Sequence, residues 1–135
     1  MLYMLDTNIC IFLMKKKYLT YFVKLDKIQK NNEITISSIV LSELQYGVAN
    51  SQFYEQSQNN LNLLLGKLDV LSYTDRAAFC YGTIRASLKK SGSLIGANDL
   101  LIASHALSEN AILITNNAKE FARVNGLLLE VWEQV

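Results

Sequence analysis

Three acidic side chains stand in apolar surroundings. Asp6 directly follows an apolar run, Glu43 lies inside another, and Asp99 precedes a third. An ionised carboxylate beside a hydrophobic core needs a counter-charge or a metal ion to compensate it, and no lysine or arginine is adjacent to any of the three in the sequence. If the three share one pocket, their charges repel each other unless a cation offsets them. Because oxygen ligands without histidine or cysteine favour hard ions, these acids predict a Mg²⁺ or Mn²⁺ site.

The alternative interpretation is purely structural. Asp6 and Asp99 could cap helices, and Glu43 could be an exposed helix residue. The single histidine, His105, lies in an apolar helical segment and is interpreted as structural rather than catalytic. The two cysteines, Cys10 and Cys80, lie in apolar surroundings and are expected to be buried free thiols rather than a disulfide.

The elements that must position these acids are short strands alternating with helices. Five apolar or β-branched runs predict strands, at Leu2–Leu5, Glu33–Ser37, Lys67–Leu71, Ala111–Ile114 and Leu127–Val131. This alternation predicts an α/β fold with a central parallel sheet. Sites in such sheets form at the carboxyl ends of strands, where Asp6-Thr7-Asn8 and Thr115-Asn116-Asn117 are found.

Helix boundaries follow from capping residues. Ser37 or Ser38 is expected to begin one helix, Thr74 or Asp75 a second, and Asn98 or Asp99 a third. Gly66 is expected to end a helix that starts near Phe53, in a left-handed conformation. Lys89 and Lys90 are placed in a loop.

Composition indicates one folded domain over residues 1–135. Half of the residues are hydrophobic and 19% are charged, which is typical of globular proteins. The longest apolar stretch, Leu2–Met14, is interrupted by Asp6 and is too short to span a bilayer. Positive charge follows this stretch rather than preceding it, so a signal peptide is not indicated, and a cytoplasmic location without membrane contact is expected.

Net charge does not identify a partner, because it is only +1. Two local clusters are basic, Lys15-Lys16-Lys17 and Lys89-Lys90. On charge alone, solvated helix faces explain them. They become candidates for RNA binding only beside a site that cuts RNA.

Three segments resemble one known family. The segments are YMLDTNICIFL at the start, SSIVLSELQYGV around Glu43, and IGANDLLIASHALSENAILITNNAKEFARVNGLLLEVW in the last third. Together they resemble VapC-type toxins, the PIN-domain ribonucleases of bacterial type II toxin–antitoxin pairs, over nearly the whole chain. The resemblance implies a three-layer α/β/α sandwich with a central parallel sheet and an acidic, metal-binding pocket.

The family's acidic positions fall on the same three residues, Asp6, Glu43 and Asp99. A fourth position, often aspartate in the family, falls on Asn117, which brings an oxygen without charge. Glu120 is the candidate for supplying the missing carboxylate. By the same resemblance, Thr7 and Thr115 would orient carboxylates from outside the ligand set. One or two Mg²⁺ or Mn²⁺ ions are implied as cofactors.

The implied function is metal-dependent cleavage of RNA that inhibits translation. The motif SELQYG resembles that of members cutting the anticodon stem-loop of initiator tRNA, with the two lysine clusters holding the RNA backbone. The implied partners are a VapB-type antitoxin and a second copy of the chain, with further assembly through the antitoxin. Contact with DNA would occur only through the antitoxin.

Three other functions stay open from the residues. The chain could cut ribosomal or messenger RNA instead of tRNA. It could be a non-catalytic binding or repressor module that keeps the fold. A phospho-accepting signalling domain also gathers acids beside Mg²⁺, but it would need adjacent acids after the first strand and a lysine after the last, which this sequence lacks.

Overall fold

A computed structural model describes residues 1–133 of the chain. Its centre is a five-stranded sheet in which every paired neighbour is parallel, with strand order β3-β2-β1-β4-β5. The strands are β1 (Leu2–Leu5), β2 (Glu33–Ser37), β3 (Asp69–Leu71), β4 (Ile112–Thr115) and β5 (Leu128–Val131). The five predicted strands are therefore all present, with the third shorter than expected.

Seven helices connect and flank the strands in the described part of the chain. They are α1 (Thr7–Met14), α2 (Leu19–Gln29), α3 (Ser38–Ala49), α4 (Tyr54–Leu65), α5 (Asp75–Lys90), α6 (Ala97–Ser108) and α7 (Ala118–Phe121). The predicted α/β class with a central parallel sheet is confirmed.

The central strands are hydrophobic on both faces because helices cover both. Met4, Leu5, Leu113 and Ile114 are completely buried. Helix α6 is also enclosed, with Ala103, Ala106 and their neighbours inaccessible to solvent. The strands that carry the site are thus fixed at the centre of the packed core.

Two of the predicted helix caps are confirmed, and the predictions for two other helix ends were wrong. The side chains of Ser37 and Thr74 accept backbone N–H groups at the starts of α3 and α5. Gly66 follows α4 with a right-handed φ of −68°, because its N–H bonds to the carbonyl of Asn62 and no reversal is needed. Helix α6 starts before Asn98, at Ala97, and the residue at its N-cap position, Gly96, supplies no capping side chain.

A third boundary also differs from the prediction. Lys89 and Lys90 form the last residues of helix α5 instead of a loop. Cationic side chains are favourable there, because the C-terminal end of a helix carries partial negative charge.

The remaining structural expectations concern the thiols and the membrane. Both cysteines are free, as expected; Cys10 is buried, whereas the expectation of burial was wrong for Cys80, which is partly exposed. Burial raises the pKa of the Cys10 thiol well above its usual value. Among the described residues, no helix has the length and apolar character needed to cross a membrane.

Candidate active site

Asp6 occupies the junction between β1 and α1. Its Oδ1 accepts the backbone N–H of Ile9 at 3.1 Å, and its Oδ2 accepts the hydroxyl of Thr115 at 2.5 Å. Thr115 ends β4, which pairs with β1, so parallel pairing places these residues side by side. The Asp6 side chain both caps a helix and projects from the carboxyl end of the sheet.

The environment of Asp6 opposes ionisation. Asp6 is 5% exposed, and burial raises its pKa above the usual value. Hydrogen bonds from Thr115, Ile9 and Asn8 oppose this shift, whereas the negative charge of Glu43 adds to it. The carboxylate is therefore bonded by neutral donors but its charge is not balanced by a protein cation.

Asp99 lies in the first turn of α6, beside Glu120 of α7. Burial and the neighbouring Glu120 raise its pKa to about 7, and the negative charges of Asp6 and Glu43 contribute further. The structure thus brings the three acids selected from the sequence into one electrostatic neighbourhood, although they are widely separated along the chain. Because burial is the largest cause and the neighbouring carboxylates add to it, the raised pKa shows that no protein group compensates an ionised Asp99.

Glu120, on α7, is held by a polar network. Its Oε1 accepts the backbone N–H of Gly96 at 3.1 Å, and its Oε2 accepts the amide of Asn117 at 2.8 Å. A hydrogen bond with Asp99 lowers the pKa of Glu120 most, and the bonds with Gly96 and Asn117 lower it further. Asn117 is held in turn by its own N–H, which donates to Thr115 Oγ1 at 2.9 Å. With its amide nitrogen engaged, Asn117 leaves its Oδ1 as the atom able to ligate an ion.

Glu43 reaches the cluster from α3. It is partly exposed and lines a groove with Lys15 and with apolar side chains of α1 and α3, Ile11, Met14, Leu44 and Val48. The groove has a volume of about 340 Å³. Glu43 is therefore the one candidate acid that lines this groove within the described residues.

The carboxylates are not yet gathered around one point. Within residues 1–133, no three His, Cys, Asp or Glu side chains are close enough together to hold a metal ion. The one ion pair in that range, Arg76–Glu109, involves none of the cluster acids. The donor set still fits a hard divalent ion, because it consists of oxygens only and none of its carboxylates forms an ion pair within the described residues.

The other sequence candidates lie in different positions. Thr7 Oγ1 is buried and has no hydrogen-bond partner in the described residues, so it donates to no carboxylate here, in contrast to Thr115. Lys15, Lys16 and Lys17 are exposed at the end of α1, and Lys17 lies over the Phe12 ring at 5.0 Å.

Sequence reasoning missed Gly96. Its N–H binds Glu120, and a Cβ at this position would lie 3.7 Å from Asp99 Oδ2 and 3.9 Å from Glu120 Oε1. The glycine leaves space beside both carboxylates. The sequence feature that could have identified Gly96 is its position three residues before the candidate ligand Asp99. It occupies the N-cap position of α6, where it supplies no capping side chain.

Comparisons with known proteins identify the family of this chain. A family model described as the PIN domain matches residues 3–127. A Rickettsia felis protein named Ribonuclease VapC2 is 50% identical over 134 residues, covering 99% of this chain and 100% of the relative. A Shigella flexneri protein named tRNA(fMet)-specific endonuclease VapC is 42% identical over 130 residues, covering 96% of this chain and 97% of the relative.

A solved structure shows the same fold. The crystal structure of VapBC2 from Rickettsia felis, bound to a DNA fragment from its promoter, contains a chain that superimposes with a TM-score of 0.95 at 50% identity. The match covers 98% of this chain and 100% of that one. The chain belongs to the PIN-domain family and, within it, to the VapC group.

Proposed function

We propose that this chain is the ribonuclease toxin of a type II toxin–antitoxin pair, and that it hydrolyses RNA with the help of Mg²⁺ or Mn²⁺. The observation that carries this proposal is a chain of hydrogen bonds that runs from Asp6 through Thr115 and Asn117 to Glu120, which lies beside Asp99. The negative charges of Asp6 and Glu43 add to the rise in the pKa of Asp99. The names of the relatives, ribonuclease and endonuclease, support the same activity.

In this proposal, Asp6, Asp99 and Glu43 hold the ion, and Asn117 and Glu120 contribute to a second position. When bound, a divalent ion polarises the scissile phosphate and lowers the pKa of a water molecule. The Thr115 hydroxyl orients the Asp6 carboxylate, and Asn117 and Gly96 orient Glu120. Because water attacks instead of the RNA's own 2′-hydroxyl, the products carry 5′-phosphate and 3′-hydroxyl ends.

The leading substrate is the anticodon stem-loop of initiator tRNA. The motif around Glu43 and the name of the Shigella relative both support it, whereas the Rickettsia relative is named a ribonuclease without a stated substrate. Ribosomal or messenger RNA is the alternative. Digestion of total RNA followed by mapping of the new 5′-phosphate ends distinguishes them: cuts in initiator tRNA support the leading substrate, and cuts confined to other RNAs contradict it.

The proposed partners are a VapB-type antitoxin and a second copy of this chain. The Rickettsia structure is of a VapBC complex, and the apolar groove that opens at Glu43 suits an antitoxin segment whose arginine reaches the carboxylates. Expression of the chain alone should arrest growth, and expression with the upstream neighbouring gene should not. Arrest in both cases would contradict the pairing.

Thr115→Val should lower cleavage by about 10- to 100-fold, the usual loss when a residue that orients a metal ligand is changed. The valine keeps the shape of the side chain but removes both the bond to Asp6 and the bond from Asn117. Initial rates at several Mn²⁺ concentrations measure the effect. Thr83→Val, on the exposed face of α5, is the matched control, and equal rates for both variants would contradict the role of Thr115.

Replacing Lys15 and Lys16 with glutamine should weaken RNA binding and its salt dependence. Two lost phosphate contacts reduce the slope of log K against log salt by about 1.4 for single-stranded RNA. Binding of labelled RNA to an Asp6→Asn background, over a range of salt concentrations, measures the slope. The control replaces Lys27 and Lys30; Lys30 lies with Met1 and Glu33 at the opposite edge of the sheet. A slope unchanged in the first variant would exclude these lysines from the interface.

A further inference from the structure

A buried polar cluster joins α6 to the start of α3 outside the acidic site. His105 is completely buried, and its Nδ1 lies 2.7 Å from the Ser37 hydroxyl oxygen. Ser37 is the last residue of β2 and the N-cap of α3. One side-chain contact therefore connects the helix that carries Asp99 with the helix that carries Glu43.

The hydrogen-bond partners determine the direction of this contact. Ser37 Oγ already accepts the N–H of Ile39 at 3.0 Å, so its own hydrogen is free to be donated to Nδ1 of His105. Burial lowers the pKa of His105, which keeps the imidazole neutral and Nδ1 able to accept. The proton of the neutral ring then lies on Nε2, which is buried without a hydrogen-bond partner among the described residues. The nearby backbone of Ser72 opposes the lowering of the His105 pKa but does not cancel it.

A second set of contacts secures the same region. Tyr73 packs its ring edge-on against His105, with centroids 5.5 Å apart. The backbone N–H of Tyr73 donates to Ser38 Oγ at 3.0 Å, and Ser38 is the first residue of α3. The first turn of α3 is thus bound both to the ring of His105 and to the segment after β3.

We propose that His105 is a positioning residue: by accepting the Ser37 hydroxyl, it fixes the first turn of α3 against α6 and thereby sets Glu43 in place relative to Asp99. The inference rests on the proposed function in that Glu43 and Asp99 must act on one ion. Glu43 lies on the second turn of α3, so a displaced first turn moves its carboxylate. A buried histidine in a packed core would otherwise be replaceable by an apolar side chain of similar size.

The test compares three variants for Mn²⁺ binding, followed by the electron paramagnetic resonance of free Mn²⁺. His105→Leu removes the acceptor, and we expect its Mn²⁺ affinity to fall about 10-fold or more. In His105→Asn, the amide oxygen takes the position of Nδ1, so affinity should return to within about 3-fold of the wild type. Ser37→Ala removes the same bond from the other side and should resemble the leucine variant.

Ser104→Ala is the matched control for loss of stability. Ser104 is a fully buried neighbour on α6 whose hydroxyl donates within its own helix, to the Leu100 carbonyl. The Ser104→Ala variant should have a lower melting temperature than the wild type and the same Mn²⁺ affinity. Wild-type affinity in His105→Leu, or equally weak binding in the leucine and asparagine variants, would overturn the positioning role.

Failure of the proposed function would give a different result, because the wild type itself would then bind no Mn²⁺. Crystal structures of the two histidine variants would decide the inference in that case. A first turn of α3 that is displaced in His105→Leu and retained in His105→Asn supports it, and an unchanged α3 in both overturns it.

Discussion

Asp6→Asn should abolish metal-dependent RNA cleavage, with a loss of more than about 100-fold, and leave the fold intact. Changing a residue that merely orients a ligand costs about 10- to 100-fold, so removing charge from a proposed ligand should cost more. The fold should survive because the asparagine oxygen can still accept the N–H of Ile9, which Asp6 Oδ1 accepts at 3.1 Å. Initial cleavage rates and thermal unfolding measure the two effects.

The control for this variant is Asp26→Asn on helix α2, where the aspartate is exposed. It makes the same chemical change away from the cluster and should keep full activity. Undiminished cleavage by Asp6→Asn would refute the assignment of the site. Loss of cleavage together with unfolding would instead show that the role of Asp6 is to cap α1.

Asp99→Asn should abolish cleavage and, in the metal-free protein at pH 8, raise the melting temperature by about 3 to 8 °C. One unit of pKa shift corresponds to about 1.4 kcal/mol of unfolding free energy. Because Asp99 is only half-buried, solvent screening means that the substitution recovers only part of the free energy that the full shift represents, and the rise in melting temperature is limited accordingly. The asparagine removes the buried negative charge, and its amide can donate to Glu120. A stabilising change that destroys activity is the behaviour expected of a functional carboxylate.

The pH dependence of stability follows from the direction of the shift. The folded protein holds the Asp99 proton up to about pH 7, whereas the usual value for the group is 3.8. Between these values the folded state binds more protons, so the free energy of unfolding should fall as pH rises from about 4 to about 7, and the full cost should persist above that range. Asp99→Asn should flatten this part of the curve.

Added Mn²⁺ tests whether the loss of stability at high pH comes from uncompensated negative charge at the cluster. At pH 8, added Mn²⁺ should raise the melting temperature of the wild type, because an ion that binds only the folded state stabilises it. The same addition should have little effect on Asp99→Asn. In EDTA, curves of unfolding free energy against pH that run parallel for the wild type and Asp99→Asn would contradict the predicted pH dependence.

Much of the fold could be predicted because buried parallel strands are short, continuous apolar runs. The run Leu2–Leu5 and the run before Thr115 identify the two central strands, and parallel pairing then places Asp6 and Thr115 together. Asp6 and Asp99 were recognisable as candidates because an acid at the end of an apolar run is costly. These features depend on local sequence alone.

Other features depend on contacts between distant segments. The bond from Gly96 to Glu120 and the bond between Ser37 and His105 join residues far apart in sequence, so no local pattern reveals them. The start of α6 was predicted too late because its N-cap position holds a glycine, which has no side-chain signal. Gly66 was predicted to be left-handed because glycine commonly ends helices in that way, but the chain continues from α4 without reversing.

The central claim is that Asp6, Glu43 and Asp99 act on a single divalent ion, and anomalous scattering from crystals soaked in Mn²⁺ tests it most directly. The proposed site predicts a peak with carboxylate oxygens of these residues at roughly 2.0 to 2.3 Å, the range for hard divalent ions and oxygen ligands. Crystals saturated with Mn²⁺ that show no peak between these side chains would contradict the claim.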